Sequence, residues 1–312
     1  MADDLILHHY AGSPFSEKIR LILGFKGLAW QSVNVPAIMP KPDVLALTGG
    51  YRKTPFLQIG ADIYCDSALM ARVIDRLHPA PALYPAAVAG LSQQQAQWAD
   101  SDLFWVAIPY AMQPAGIGAL LGNPPPEVLK AFAADRAAFT PRMTRPTLAD
   151  ATAQLQVYLG WLEGQLADGR AYLHGAAASI ADFSVAQSVW FIRRAAPVAG
   201  VLDAFPGLQA WYERVAAFGH GRFEKLASAD AVALAAARGR AGGLAPVSVQ
   251  PEAGLAADAQ VTVAATDYGH DPVTGRLVGL SVDEVVLARE DERAGLVHVH
   301  FPRIGFQIKP VA

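Results

Sequence analysis

The sequence predicts a chain in three parts: an α/β segment, an all-helical segment and a small all-β segment. Three observations carry this division. Up to about residue 77, short apolar runs closed by turn residues alternate with helical patterns. From there to about residue 238 the chain has helical periodicity, with long stretches of alanine, leucine and glutamine. After a Gly/Ala/Pro-rich stretch at 239–250, read as a linker, the texture changes to short strands. The expected domains are 1–79, 86–238 and 251–312.

In the first part, Leu5-Ile6-Leu7-His8-His9-Tyr10 reads as a strand and Ser13-Pro14-Phe15-Ser16-Glu17 as a helix start. Phe15, Ile19, Ile22 and Leu23 have the steps of one buried helix face. Trp30 to Val35 is a second strand. Phe56–Ile59 and the run Ile63 to Cys65 are too short for helices, and Gly60-Ala61-Asp62 supplies a turn, so they form a hairpin. Pro55 at the start of its first strand needs no ladder N–H, and X-Pro is the bond that readily goes cis. A cis Thr54-Pro55 bond leaves the backbone of Thr54 free to pair with a peptide-like ligand. Asp66-Ser67 sits where the second strand hands over to a helix running to Leu77, which offers a carboxylate, a hydroxyl and unpaired helix N–H groups together. This βαβ…ββα order fits a thioredoxin-like domain, whose parallel first pair needs a crossover helix.

Pro79-Ala80-Pro81-Ala82-Leu83-Tyr84-Pro85 is a linker by its prolines. Beyond it, helices are expected at 92–119, 126–139, 147–167, 180–196, 206–217 and 222–237, with Pro109 and Pro114 breaking or kinking the first. Ser179-Ile180-Ala181-Asp182 opens the fourth as a reciprocal capping arrangement, read as a folding signal. The third part is a small β-barrel or sheet with strands at 261–264, 277–280, 284–288, 297–301 and 306–308. Turns lie at Asp271-Pro272-Val273-Thr274-Gly275 and Glu292-Arg293-Ala294-Gly295. The chain carries no internal repeat.

Composition narrows the function classes. A formal net charge of -3 gives no broad electrostatic reason to bind nucleic acid or an anionic membrane. No apolar stretch approaches the roughly 20 residues of a membrane span. The acidic start Met1-Ala2-Asp3-Asp4 is unlike a secretory signal, and the single cysteine, Cys65, allows neither a disulfide framework nor a CxxC pair, so a cytoplasmic location is expected. Cys65, on a strand, is expected to be buried rather than reactive.

Residues 50–67, with Thr54-Pro55 and Asp66-Ser67, together with the Ser13 helix start, the Ser179–Asp182 cap and Trp211-Tyr212-Glu213-Arg214-Val215, resemble the glutathione transferase superfamily over roughly the first three quarters of the chain. In that family a cis-proline precedes the third strand and an acidic-Ser pair begins the third helix. The resemblance implies glutathione as co-substrate. Thr54, beside Pro55, would bind its cysteinyl backbone, Asp66 its γ-glutamyl amine and Ser67 its γ-glutamyl carboxylate. Arg52 or Lys53 would face its glycyl carboxylate, with Lys41 a weaker candidate. A homodimer is expected on the same ground. The family's ordinary members lack the last β segment.

Conjugation needs a thiolate near neutral pH, against an unperturbed thiol pKa of about 8.5; a two-unit shift requires roughly 2.7 kcal/mol. A helix N-terminus supplies about 0.3–1 kcal/mol and a hydrogen bond to an ionised group roughly 1.5–3, so a hydroxyl at a helix start is the arrangement to look for. Ser13 offers it, as N-cap with Pro14 at N1. By the resemblance it falls where serine-type classes hold their thiolate, where cysteine-type classes would place a reactive cysteine. Tyr10 and His9 are the alternatives, and Ser16 at N3 is expected only to satisfy the helix start. Phe104, Trp105, Tyr110 and Met112 would line an apolar pocket for a small hydrophobic electrophile or serve as core. No metal site is assigned: His298 and His300 share a strand face and His270 lies near Asp267 and Asp271, but a third ligand in space would be needed. Two readings therefore stand: a serine-type glutathione transferase-like enzyme, with peroxidase or lyase chemistry as variants, and a non-catalytic binding or scaffold protein acting through its β module.

Overall fold

The computed structural model describes residues 5–141, 143–242, 244–245, 247–250 and 254–311. The acidic start at 1–4, linker positions 243 and 246, and the two ends of the third expected domain, 251–253 and 312, lie outside the described residues.

The first part is built as β1 (Leu5–His9), α1 (Pro14–Phe25), β2 (Ala29–Asn34), α2 (Pro42–Thr48), β3 (Phe56–Ile59), β4 (Asp62–Cys65) and α3 (Ser67–Leu77). β1 pairs parallel with β2 and antiparallel with β3, which pairs antiparallel with β4. This is the thioredoxin-like order. Helix α2, not anticipated, starts on Pro42 and stops at Gly49, whose φ of 77° suits a residue without a side chain.

The helical part contains α4 (Ala89–Trp98), α5 (Phe104–Ala111), α6 (Pro114–Leu121), α7 (Pro126–Phe139), α8 (Leu148–Leu166), α9 (Ile180–Arg194) and α10 (Pro206–Ala216). The expected helix at 92–119 is three helices. A π turn at Ala99–Leu103 joins α4 to α5, and the chain bends by 97° before α6, where Gln113 is extended ahead of Pro114. Pro109 stays inside α5. No single helix among the described residues is long and apolar enough to cross a membrane.

The expected helix at 222–237 is also corrected. Arg222–Lys225 forms β5, parallel to β2, and only then does α11 (Ser228–Arg240) begin, running past the expected start of the linker. Gly219 and Gly221, both at positive φ, turn the chain out of α10, and a Cβ on Gly221 would lie 2.5 Å from the Leu28 carbonyl oxygen. That close approach is what lets Arg222 N–H reach Leu28.

The last part is a sheet of β6 (Gln260–Ala265), β7 (Val273–Leu280), β8 (Glu284–Asp291), β9 (Gly295–Pro302) and β10 (Phe306–Pro310). The expected turn at 271–275 is shorter, because Val273 to Gly275 already pair with β6. The turn ending at Gly295 forms as expected, with the Asp291 carboxylate accepting from the N–H groups of Arg293 and Ala294. These strands do not close on themselves. β9 pairs parallel with β4, so one ten-stranded sheet runs in the order β10-β6-β7-β8-β9-β4-β3-β1-β2-β5.

Alternation along β1 sends Leu5 and Leu7 to one face and Ile6 to the other. The first face packs on α1, α3 and, beyond them, the helical part around Phe183 and Trp211. The second packs Val44 and Leu47 of α2, Ala231 and Ala235 of α11, and Val263, Leu287 and Phe301 of the last strands into one core. The C-terminal strands therefore share their core with the thioredoxin-like sheet.

Candidate functional site

The site begins where β1 turns into α1. Ser13 is buried; its hydroxyl accepts from Ser16 N–H at 3.2 Å, capping the helix, and donates to the Thr54 carbonyl at 3.3 Å. Pro14 supplies the first helical position without an N–H to satisfy. Tyr10 lies beside Ser13; burial pushes its phenol up from the usual value, and a hydrogen bond with Ser13 partly opposes this. His9 is placed elsewhere. Its ring is held by Ser32 at 2.8 Å and Arg20 at 3.0 Å, it lines neither of the two cavities described below, and burial lowers its pKa to about 4. Ser16 is fully buried behind the cap.

Opposite Ser13 stands the start of β3. Thr54-Pro55 is cis, and Thr54 borders both cavities. The two preceding cations are already engaged: Arg52 with Asp135 of α7 at 2.6 Å, Lys53 with Asp267 of the β6–β7 loop at 2.6 Å. Lys41 donates to the Arg52 carbonyl and the Thr54 hydroxyl, both at 3.3 Å. Burial first, then the neighbouring Arg136 and Arg52 charges, pull its pKa down to about 8.

At the end of β4, Asp66 has a φ of 77°, a left-handed value that a non-glycine residue seldom adopts, and its carboxylate accepts from Ala68 N–H at 2.8 Å. Burial raises its pKa, with the Lys53 and Lys18 charges acting against it. The Ser67 hydroxyl accepts from Lys18 at 3.3 Å, and the same fully buried ammonium meets Asp100 at 2.5 Å. Asp100 also accepts from Gln187 of α9 at 2.7 Å. Lys18, Asp100 and Gln187 were missed in the sequence. Lys18 alone had a signal, a cation at a helical step on the face of Phe15, Ile19 and Ile22. Cys65, next to Asp66, is fully buried and burial holds its thiol well above the usual value.

These groups border two cavities that meet at Phe15, Lys53, Thr54, Trp105 and Tyr268. The first, about 800 Å³, holds Lys18, Lys53, Asp66, Ser67, Arg72 and Asp100. The second, about 460 Å³, contains Tyr10 and Ser13 beneath Phe104, Trp105, Ile108 and Met112. Tyr110 is spent otherwise, its hydroxyl donating to the Val198 carbonyl. The second cavity is apolar in body but rimmed by Lys41, Arg136, Arg145 and Arg194. Arg194 donates to the Gly12 and Leu120 carbonyls, at 3.4 and 3.3 Å.

The last β segment builds one wall of the first cavity. Asp267 and Tyr268 from the β6–β7 loop, Ile304 from the β9–β10 turn and Phe306 at the start of β10 line it. The Lys53 ammonium sits 3.9 Å from the Tyr268 ring, which meets Trp105 and Phe139 edge-on. Gly269 N–H donates to the Phe139 carbonyl, and a Cβ on Gly269 would lie 2.6 Å from that phenyl ring. The loop thus bridges the sheet and the helical part across the cleft, and nothing in the sequence marked it. His298 and His300 lie away from the cleft, beside Asp62, while His270 binds the Ala265 carbonyl.

Residues 7–82 match the family model of the glutathione S-transferase N-terminal domain, and 145–214 that of the glutathione S-transferase C-terminal domain. Among solved structures, a GST-like protein from Pseudomonas syringae is 40% identical, with 99% of this chain and 100% of that one covered at a TM-score of 0.80. A glutathione S-transferase from Rhodospirillum rubrum F11 is 19% identical over 68% of this chain and 87% of its own, at a TM-score of 0.53. The β-etherase LigF from Sphingobium sp. strain SYK-6 is 20% identical over 68% of this chain and 95% of its own, at 0.51. The last two likenesses show the fold alone. No curated protein matches the chain.

Proposed function

This chain belongs to the glutathione transferase superfamily, and from that premise we propose that it binds glutathione in the larger cavity and activates its thiol at Ser13. The observation that carries the reading is the meeting of two unlike cavities at Thr54, with Ser13 donating to its carbonyl. A tripeptide laid with its amine on Asp66 and its γ-glutamyl carboxylate at Ser67 and Lys18 runs its cysteinyl backbone along Thr54. Its sulfur then enters the smaller cavity. Its glycyl carboxylate meets Lys53 and Lys41, which requires Lys53 to be shared with Asp267.

The Ser13 hydroxyl exchanges a long hydrogen bond to a carbonyl for one to the thiolate, and the α1 N-terminus adds a favourable field. Together these account for the roughly 2.7 kcal/mol that a two-unit shift of the thiol demands. Tyr10, beside Ser13 but raised in pKa by burial, is the reserve donor.

For the electrophile, the lining favours an aromatic or otherwise apolar body carrying an anionic group. Phe104, Trp105 and Met112 take the body, and Arg136, Arg145 and Arg194 lie at its rim. Conjugation, rather than peroxide reduction or ether cleavage, is the simplest chemistry for a thiolate facing such a pocket. A purely scaffolding role through the β module is less favoured, because that module's loops line the same cleft. The chain is read as a cytoplasmic homodimer, in keeping with its family.

The test is isothermal titration with glutathione beside a conjugation assay on two chloronitrobenzenes, one with a ring carboxylate and one without. Submillimolar binding, turnover and preference for the carboxylate are expected. Millimolar or weaker binding, unchanged in Asp66→Ala, sinks the enzyme reading; equal rates on the two substrates sink only the anionic one.

A further inference from the structure

The seam between β4 and β9 brings three ligand-type side chains to one point. Asp62 and His298 are register partners across the parallel pair, and His300 lies two residues on, on the same face of β9. The carboxylate and the two imidazoles each offer an atom within 4.8 Å of the others, and all three residues are buried. His300 Nε2 is 2.8 Å from Asp62 Oδ1, and His298 Nδ1 is 3.7 Å from the same oxygen. Donor atoms about 2.0–2.1 Å from zinc at tetrahedral angles lie about 3.3 Å apart, so Asp62 and His300 need only part slightly while His298 closes in.

We propose that Asp62, His298 and His300 bind a divalent transition-metal ion of the zinc type, clamping the C-terminal strands to the thioredoxin-like sheet. Two observations beyond the cluster point to a ligand. First, His298 Nδ1 has no hydrogen-bond partner among the described residues, and the residue is only 8% exposed. A buried ring nitrogen without a partner costs free energy that a metal bond would recover. Second, the inner ligands are themselves held. Glu284 contacts His300 Nδ1 at 2.5 Å, and Ala245 N–H donates to Asp62 Oδ2 at 2.9 Å. A carboxylate behind a ligating imidazole is the usual support in metal centres, since it fixes the ring and its tautomer.

None of the three ligands lines the glutathione cleft, so the ion is assigned a structural role, with a water molecule in the fourth position.

The experiment uses the full untagged chain, stripped with chelator and titrated with zinc, and with cobalt as a visible probe. One ion per chain, a tetrahedral cobalt spectrum and a zinc-dependent rise in Tm are expected. In Glu284→Gln the affinity should fall about 10–100-fold. In His298→Ala binding and the cobalt spectrum should disappear, and zinc should no longer raise the Tm above that of the variant's own apo form, whatever the cavity left by the ring costs. Absence of stoichiometric zinc binding in the wild type overturns the assignment, and so does binding that survives His298→Ala.

Discussion

Replacing Asp66 by Asn separates ligand recognition from folding. Asp66 caps α3 through the Ala68 N–H at 2.8 Å and occupies a left-handed φ of 77°. Asn keeps both features, since it caps about as well as Asp and tolerates that backbone region. What it removes is the negative charge, whose burial the fold already resists, as the raised pKa shows. The free protein should therefore lose no stability and gain some. The ligand's ammonium, by contrast, loses a charge-assisted bond worth roughly 1.5–3 kcal/mol. At about 1.36 kcal/mol per decade, glutathione should bind roughly 10–150-fold more weakly. Titration calorimetry reads the affinity and thermal unfolding reads the fold. The pH profile gives a second check. The ammonium needs the ionised carboxylate, so wild-type affinity falls as pH drops through the Asp66 pKa, and the raised pKa places that fall above the ordinary value of about 3.9. Asp66→Asn should lose this acid limb. Unchanged affinity in Asp66→Asn, or weaker binding matched by a lower Tm, would refute the assignment.

Three further outcomes are expected. Ser13→Ala should cost about 1 kcal/mol of stability through the lost cap, and should slow conjugation by roughly 10–100-fold while glutathione affinity stays near wild type; thiolate absorbance of the bound ligand should titrate at higher pH, and unchanged turnover would move the role to Tyr10. Asp267→Asn releases Lys53 from a half-exposed pair worth about 0.2–1 kcal/mol, so glutathione should bind up to about fivefold more tightly in low salt, with the gain fading as salt is added; weaker binding would mean that Asp267 organises the site instead. Asp182→Ala strands buried donors on Leu173, Ser179 and Trp211 at about 1–3 kcal/mol each, and Tm should fall by roughly 5–10 °C, a loss that calorimetry of the free protein would detect.

Local signals were legible in the sequence and long-range ones were not. Ser13 ahead of Pro14, Thr54-Pro55, and Asp66-Ser67 announced helix starts and a strand entry, because caps and prolines act over three or four residues. Within 92–119 the break at Pro114 is legible from the proline, whereas the π turn at Ala99–Leu103 is hidden because alanine and leucine satisfy any helical register. Arg222–Lys225 carries no apolar alternation and becomes a strand only because β2 offers an edge beside it. The partners of Arg52, Lys53 and Ser67 lie on other segments, and an ion pair leaves no trace in either local pattern. His298 and His300 were seen to share a face, while Asp62, a turn residue by its neighbours, became their companion only through the pairing of β4 with β9.

That pairing also has a consequence during synthesis. The strand at Asp62–Cys65 leaves the ribosome long before its neighbour at Gly295–Pro302. Until then the growing chain displays an open strand edge, a template for pairing with other chains. Chains that have not yet made β9 are thus the species most in need of chaperone cover, and the pairing of β9 closes the exposed edge.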